Sequence, residues 1–204
     1  PEETFDVAGQ VLASLRLRVL DLSDCMLTGS IPEALGECVL LERLLLAGNQ
    51  LSGSIPEALG QCVALRELAL QSNRLTGSIP ETIGRCVSLA DLNMSTNALS
   101  GSIPAAIGQC VALKAFFASR NQLTGSIPET FGKCTALEVL AMSANQLTGS
   151  IPPELGQCTA LQKLWLHTNH EPHPSLPEFF HAYNDSYGNP AGKYRERRIL
   201  RTPF

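Results

Sequence analysis

Six cysteines recur at a spacing of 24 residues, and thiols in such a series can form disulfides, bind a metal or pack as small apolar groups. They are Cys38, Cys62, Cys86, Cys110, Cys134 and Cys158. If the intervening segments stack at strand spacing, neighbouring Cβ atoms lie about 4.8 Å apart, whereas a disulfide needs about 3.8 Å. Metal ligands must converge on one point, which a linear column does not do. We therefore expect structural thiols, and so many unpaired thiols favour a reducing compartment inside the cell.

The histidines are the other residues whose spacing could bind a metal. All four lie within fifteen residues, at His167, His170, His173 and His181. Pro172 and Pro174 interrupt the series, so no regular element presents these rings on one face, and a polar loop is the better interpretation. The sequence contains no Gly-x-Ser-x-Gly elbow, phosphate-binding loop or His-Glu-x-x-His motif. We expect no enzyme activity, no cofactor and no metal site.

The repeat that carries the cysteines runs through most of the chain. Its unit reads L-x-x-L-x-L-x-x-N-x-L-[ST]-G-S-I-P-x-x-[LIF]-G-x-C-x-x, and Gly-Ser-Ile-Pro recurs unchanged six times. The L-x-L portion alternates with a period of two, which predicts a short strand with one buried face. The stretch between Pro and Cys is too short for a long helix and predicts a 3₁₀ turn. Each unit can bury its apolar face only against its neighbours, so the units must stack into a linear array.

An asparagine follows the strand portion of six units, and Cys25 takes its place in the first unit. These asparagines are Asn49, Asn73, Asn97, Asn121, Asn145 and Asn169. The side-chain amide has both donors and acceptors, so it can bond backbone groups of the turn that it begins. We predict a structural role for this column, which could form a continuous ladder.

Together these columns resemble the leucine-rich repeat family, in its plant-type 24-residue subclass. The resemblance implies an α/β solenoid: a right-handed superhelix with a parallel β-sheet on its concave side and short 3₁₀ or helical turns on its convex side. It also implies a second short strand at L-[ST]-G-S-I-P. The chain would then comprise a degenerate N-terminal cap (1–16), the solenoid (17–169), and a C-terminal cap with an extended docking tail (170–204). Two features depart from the family pattern, which usually has leucine in place of the cysteine column and paired cysteines in secreted caps.

The family usually binds partners through its concave surface, so the outward residue of each L-x-L is a candidate contact. This column reads Asp21, Leu45, Ala69, Asn93, Phe117, Ala141 and Trp165. Phe117 and Trp165 flank Ala141 at a separation of two units, about 10 Å, and could grip one inserted side chain. Leu45 and His167 are further candidates on this surface. The alternative is that the C-terminal tail folds back and covers the two aromatic residues.

The tail differs in composition from the repeats and is rich in proline, aromatic residues and arginine. Residues 193–201 carry five basic residues and one acidic residue. Aromatic and arginine side chains on an extended segment suit docking onto a protein partner. The candidate contacts are Tyr183, Tyr187, Tyr194, Arg195, Arg197, Arg198, Arg201 and Phe204. A cap over the last repeat, or a solvated terminus, remains open as an alternative.

The 204 residues suit one domain with a tail, and the net charge of −4 makes nucleic acid an improbable partner. No apolar run reaches the roughly 18–20 residues that span a bilayer. We expect a non-catalytic interaction scaffold, an accessory or assembly subunit of a larger complex, in the cytosol or an organelle such as a plastid. Two alternatives stay open: a secreted recognition ectodomain for a peptide or polysaccharide, and an ice-binding surface formed by the repeated Thr/Ser-Gly-Ser hydroxyls.

Overall fold

The computed structural model of the protein describes residues 16–169. This range contains ten short strands and six 3₁₀ helices. The strands are β1 (Val19–Asp21), β2 (Arg43–Leu45), β3 (Glu67–Ala69), β4 (Asp91–Asn93), β5 (Ser100–Ser102), β6 (Ala115–Phe117), β7 (Gln122–Gly125), β8 (Val139–Ala141), β9 (Gln146–Leu147) and β10 (Lys163–Trp165). The expected tail, and all of the expected cap except Arg16, lie outside the described residues.

One parallel sheet runs through all seven units, in the order β1-β2-β3-β4-β6-β8-β10. Every pair is in register at a spacing of one repeat, so that Leu44 pairs with Leu68 and Leu68 with Leu92. The central residue of each strand points into the core, while its two neighbours face outward. We call the outward face of this sheet the concave face.

The asparagine column connects the backbones of adjacent units. Asn97 accepts a hydrogen bond at Oδ1 from the Leu75 amide (2.9 Å), and its Nδ2 donates to the carbonyls of Leu70 (2.9 Å) and Met94 (3.2 Å). Asn73 and Asn121 bond the equivalent groups one unit away on either side. Each amide therefore satisfies backbone groups of two units that would otherwise be buried without partners. The predicted ladder consists of side-chain-to-backbone bonds.

Six five-residue 3₁₀ helices form the convex side. They are Glu33–Glu37, Glu57–Gln61, Glu81–Arg85, Ala105–Gln109, Glu129–Lys133 and Pro153–Gln157. A proline with extended backbone precedes each helix, and the following cysteine ends it, with its amide donating to a carbonyl three residues earlier. A glycine in five of the helices brings adjacent units together: a Cβ on Gly84 would lie 2.4 Å from the Ala106 carbonyl oxygen.

A second, three-stranded sheet of β5, β7 and β9 lies where the resemblance predicted a second short strand. An isolated bridge between Ser30 and Ser52 continues the same pairing toward the N-terminus. Gly101 and Gly125 adopt left-handed backbone here, with φ of 74°, which explains why glycine stands between the two hydroxyl residues of each unit.

A continuous core of leucine, isoleucine and cysteine side chains fills the space between the sheets and the 3₁₀ helices. Phe116 and Phe131 take two of the aliphatic positions and pack edge to face, with ring centroids 5.2 Å apart. The predicted solenoid with a parallel sheet and short 3₁₀ turns is confirmed. Between residues 16 and 169, no helix has the length and apolar character needed to cross a bilayer.

Candidate functional site

Phe117 and Trp165 lie on the concave face, one strand away from Ala141 on either side. Phe117 of β6 and Trp165 of β10 each pair with Ala141 of β8 in the sheet register. Both aromatic side chains are partly exposed, and they follow core residues that fix their strands, Phe116 and Leu164. The two aromatic residues are therefore two units apart with Ala141 between them, as the sequence predicts.

Ala141 itself is 1% exposed. Its surroundings therefore leave almost no surface for a partner to reach at the bottom of the expected slot. A bound side chain would contact the exposed parts of the Phe117 and Trp165 side chains and hardly any of Ala141. The pair forms an aromatic platform, which we name the Phe117/Trp165 platform.

Polar groups border this platform on both sides. Ser119 and Ser143 are hydrogen-bonded through their hydroxyls at 3.1 Å, and the Ser119 oxygen also accepts the Ser143 amide. Lys163 places its Nζ 5.9 Å from the centre of the Trp165 ring, within reach of a cation–π interaction. Sequence reasoning passed over Lys163, although its place two residues before Trp165 in the same strand puts both on the outward face.

His167 lies two residues after Trp165, just beyond the end of β10. Partial burial lowers the pKa of His167, and the positive charge of Arg120 lowers it further. The ring is therefore neutral at physiological pH and can donate or accept a hydrogen bond. Its Nδ1 lies 3.2 Å from the Thr168 hydroxyl.

The opposite end of the concave face is charged instead of aromatic. Glu42 bridges Arg18 and Arg66, and Arg43 pairs with Glu67 at 2.6 Å. Burial and the carboxylates of Glu67 and Glu138 raise the pKa of Asp91, against the lowering effect of Lys114. Leu45, the candidate at this end, is partly exposed and pairs in register with Asp21 and Ala69. The structure does not bring it near the Phe117/Trp165 platform.

The cysteine column is buried and takes part in hydrogen bonding. The thiols of Cys62, Cys110 and Cys158 donate to carbonyls of the preceding unit at 3.2–3.4 Å. Burial raises the pKa of Cys62 and Cys110 to about 12. No disulfide joins the cysteines of the described range, and no cluster there of three or more His, Cys, Asp or Glu side chains could hold a metal ion.

The remaining candidate contacts lie outside the described residues. They are Tyr183, Tyr187, Tyr194, Arg195, Arg197, Arg198, Arg201 and Phe204. Their role in docking stays a prediction.

The repeat units match the family model of the leucine-rich repeat. The matches cover 16–38, 40–62, 64–86, 88–110, 112–134 and 136–158. The protein belongs to the leucine-rich repeat family. Six consecutive matches in one period agree with the seven strands of the concave sheet and the six 3₁₀ helices described above.

Solved leucine-rich repeat structures are similar to this chain. The plant peptide hormone receptor RGFR1 in complex with RGF2 is 37% identical, with a TM-score of 0.70 over 71% of this chain and 23% of the receptor chain. The Arabidopsis receptor kinase HAESA, in complex with the peptide hormone IDA and the co-receptor SERK1, is 32% identical. Its TM-score is 0.76 over 79% of this chain and 27% of the HAESA chain.

A plant ice-binding protein is also similar, at 28% identity and a TM-score of 0.66 over 78% of this chain and 59% of that protein. This chain thus spans about a quarter of the length of the receptor structures that it matches. No curated protein matches it. The similar structures therefore include receptors solved with a bound peptide or co-receptor and a protein that binds ice.

The expectation of an intracellular reducing compartment is wrong. RGFR1 and HAESA are plant receptors, and the leucine-rich repeat part of HAESA is an ectodomain, which points to an extracellular setting. The cysteine column does not contradict this setting. Its thiols are buried and protonated, and oxidation requires an accessible thiolate, so they can stay unpaired in an oxidising environment.

Proposed function

We propose that the protein is an extracellular recognition domain that binds an extended peptide, or an extended loop of a protein, across its concave face. The Phe117/Trp165 platform carries this proposal. It provides two partly exposed aromatic side chains beside a hydrogen-bonded hydroxyl pair and a cation. Aromatic anchors next to a few polar groups are typical of peptide-binding surfaces, because they bury much area at a low entropic cost.

The comparisons support this proposal over the assembly scaffold. RGFR1 and HAESA are each solved with a peptide hormone, and HAESA also with a co-receptor. The scaffold hypothesis has the partner docked by both the concave face and the tail at 170–204, and the tail lies outside the described residues. The concave face, by contrast, has an identifiable binding feature within them.

Selection from a phage-displayed library of random linear peptides tests the proposal. Trp165 is the sole tryptophan of the sequence, so intrinsic fluorescence reports directly on the platform. We expect selected peptides to change this fluorescence on binding. We also expect them to lose about tenfold in affinity, about 1.4 kcal/mol, with Phe117→Ser, because the partner then loses an aromatic anchor.

Glu129→Ser is the matched control. Glu129 is exposed on a convex 3₁₀ helix, so this substitution removes a surface side chain without touching the concave face. Its affinity for the selected peptides should equal that of the unsubstituted chain. Peptides that bind Phe117→Ser as tightly as the original, or a library that yields no binder, would contradict the proposal.

Ice binding is a second candidate function, favoured by the similarity to a plant ice-binding protein. Two rows of hydroxyl residues flank the glycines of the second sheet at the spacing of the repeat. They are Thr28, Ser52, Thr76, Ser100, Thr124 and Thr148 in one row, and Ser30, Ser54, Ser78, Ser102, Ser126 and Ser150 in the other. Serines interrupt the first row, which reduces the number of methyl groups that it presents.

Thermal hysteresis measurement decides this candidate. If the hydroxyl rows bind ice, the freezing point falls below the melting point, and Thr124→Lys abolishes the gap because a lysine on β7 interrupts the flat face. Thermal hysteresis that is absent, or that persists in Thr124→Lys, would exclude ice binding by these rows.

A further inference from the structure

Four valines form an exposed apolar row at the junction between the 3₁₀ helices and the concave strands. Val39, Val63, Val87 and Val111 are 52%, 53%, 50% and 56% exposed. Each directly follows a cysteine of the buried column, so the four recur at one residue per unit. The next position adds Leu40, which is 39% exposed. We name Val39, Leu40, Val63, Val87 and Val111 the valine band.

Such a band is unusual on a soluble surface. Isolated exposed apolar residues are normal, but a contiguous row of them marks an interaction surface or an aggregation hazard. At about 4.8 Å per unit, the band is about 14 Å long between its first and last valine, and β-branched side chains make it stiff. A flat, stiff, apolar row is complementary to another row of the same kind.

The charges beside the band identify the partner that fits. Three residues after each valine, directly before the concave strand of each unit, stand Glu42, Arg66, Ala90 and Lys114. The Glu42 carboxylate also pairs with Arg18 and Arg66. Two residues before each valine, at the end of the convex 3₁₀ helix, stand Glu37, Gln61, Arg85 and Gln109. Both rows have an acidic residue at their N-terminal end, and basic residues occur only further along.

A second copy of this chain matches this charge order when the two bands run antiparallel. The twofold axis then lies in the interface, perpendicular to the band, and passes between Val63 and Val87. It brings Glu42 of each copy opposite Lys114 of the other, so this contact occurs twice. Arg66 then faces Ala90, and Glu37 faces Gln109, so no like charges oppose each other. A twofold axis along the band would instead place Glu37 opposite Glu42, two carboxylates at one contact.

We propose that the valine band is a self-association surface, on which two copies of the chain pair antiparallel through a twofold axis between Val63 and Val87. None of the residues of the valine band belongs to the Phe117/Trp165 platform, which lies on β6 and β10. Its small area makes the pairing weak and concentration-dependent.

Sedimentation of the full chain tests the proposal. Between about 5 µM and about 500 µM, the average mass should rise from the monomer value of 21.9 kDa toward twice that value. Val63→Lys combined with Val87→Lys should keep the chain monomeric throughout, because four ammonium groups then meet at the centre of the pair. Val19→Lys is the matched control, since Val19 is 47% exposed but lies on β1 outside the band. A chain that stays monomeric at every concentration, or a double variant that associates like the original, would overturn the proposal.

A charge exchange tests the antiparallel register itself. The Glu42→Lys chain and the Lys114→Glu chain should each associate at least tenfold more weakly than the original, because each opposes like charges twice. Mixed together they should pair with each other, since both contacts are then opposite in sign. Circular dichroism of each variant verifies its fold. Two folded variants that fail to pair when mixed would refute this register.

Discussion

The residue before each column asparagine adopts left-handed backbone in six units, and so does Asp24, before Cys25, in the first unit. The residues are Asp24, Gly48, Ser72, Thr96, Arg120, Ala144 and Thr168, with φ between 54° and 66°. Gly48 is the one glycine among them, and the others bear the steric cost of a Cβ in this region, about 1–2 kcal/mol each. The turn geometry is therefore set by the asparagine bonds and the stacking, which override local preference.

Replacing Thr96 by glycine should stabilise the protein. The substitution removes a β-branched side chain from backbone with φ of 59°, and Thr96 is exposed, so no packing is lost. We expect a gain of about 1 kcal/mol in the free energy of unfolding, measured by urea denaturation. In the control Thr148→Gly, an exposed threonine outside this column is replaced, and the added backbone freedom should lower stability. Equal effects of the two substitutions would contradict the strain argument.

The buried thiols should make stability fall at alkaline pH. Burial raises the folded-state pKa of Cys62 to about 12, above its ordinary value of 9.0, so the unfolded chain loses this proton first. The free energy of unfolding then falls as the pH rises from about 9 toward the folded pKa, by at most about 1.4 kcal/mol per unit for each thiol. When the pH is raised from 9 to 10, the free energy of unfolding of Cys62→Ala should fall by about 1 kcal/mol less than that of the original chain. An equal loss of stability in the two chains over this range would contradict this prediction.

At the scale of elements, the glycine in five of the six 3₁₀ helices controls how closely adjacent units stack. A Cβ on Gly84 would lie 2.4 Å from the carbonyl oxygen of Ala106 and 2.9 Å from its Cβ. Ala106 belongs to the 3₁₀ helix of the next unit, which restricts how far it can move away. Gly84→Ala should therefore cost about 3 kcal/mol of stability in urea denaturation. Gly156→Ala is the matched control, because a Cβ added there, on an equivalent 3₁₀ helix, would meet no described atom within 4 Å. A similar cost at both glycines would mean that the loss comes from the helix and not from the stacking.

The elements were predictable from the sequence to different degrees. The 24-residue period predicted the positions of the concave strands and the 3₁₀ turns. The L-x-L pattern buries one face, as a short strand does, and the stretch from Pro to Cys is too short for a longer helix. The burial of Ala141 was not predictable, since the exposure of a small outward residue depends on the packing of the side chains around it. The left-handed column was hidden because six of its seven members are not glycine. The valine band had a visible signal, four valines after four cysteines, that the search for chemistry on the concave face passed over.

The intracellular prediction failed for a related reason. Counting unpaired cysteines treats every thiol as equally reactive, whereas the structure shows that Cys62 and Cys110 are enclosed and donate to carbonyls of the preceding unit. Their pairing state is set by packing, so it does not indicate the compartment. Sequence reasoning could have weighed this, since it already placed the cysteines in the core.

At the scale of the whole molecule, each unit contacts only its neighbours in the sheet order, so a complete period is removable. Deleting residues 88–111 joins Val87 to Ala112 and keeps Phe117 and Trp165 two strands apart. Deleting residues 118–141 also removes 24 residues, but it joins Phe117 to Met142 and makes β6 and β10 direct neighbours. We expect both chains to fold, with urea m-values about one-sixth lower, because one unit less is exposed on unfolding.

The two deletions should differ in binding. The 88–111 deletion leaves the Phe117/Trp165 platform at its spacing of about 10 Å, and should bind the selected peptides as the full chain does. The 118–141 deletion brings the aromatic side chains to about 5 Å and removes Ala141 between them, so affinity should fall at least tenfold. Equal midpoints of urea denaturation in the two shortened chains would exclude a difference in stability as the cause. Equal binding by both shortened chains, measured through Trp165 fluorescence, would show that recognition does not depend on the spacing of the aromatic pair.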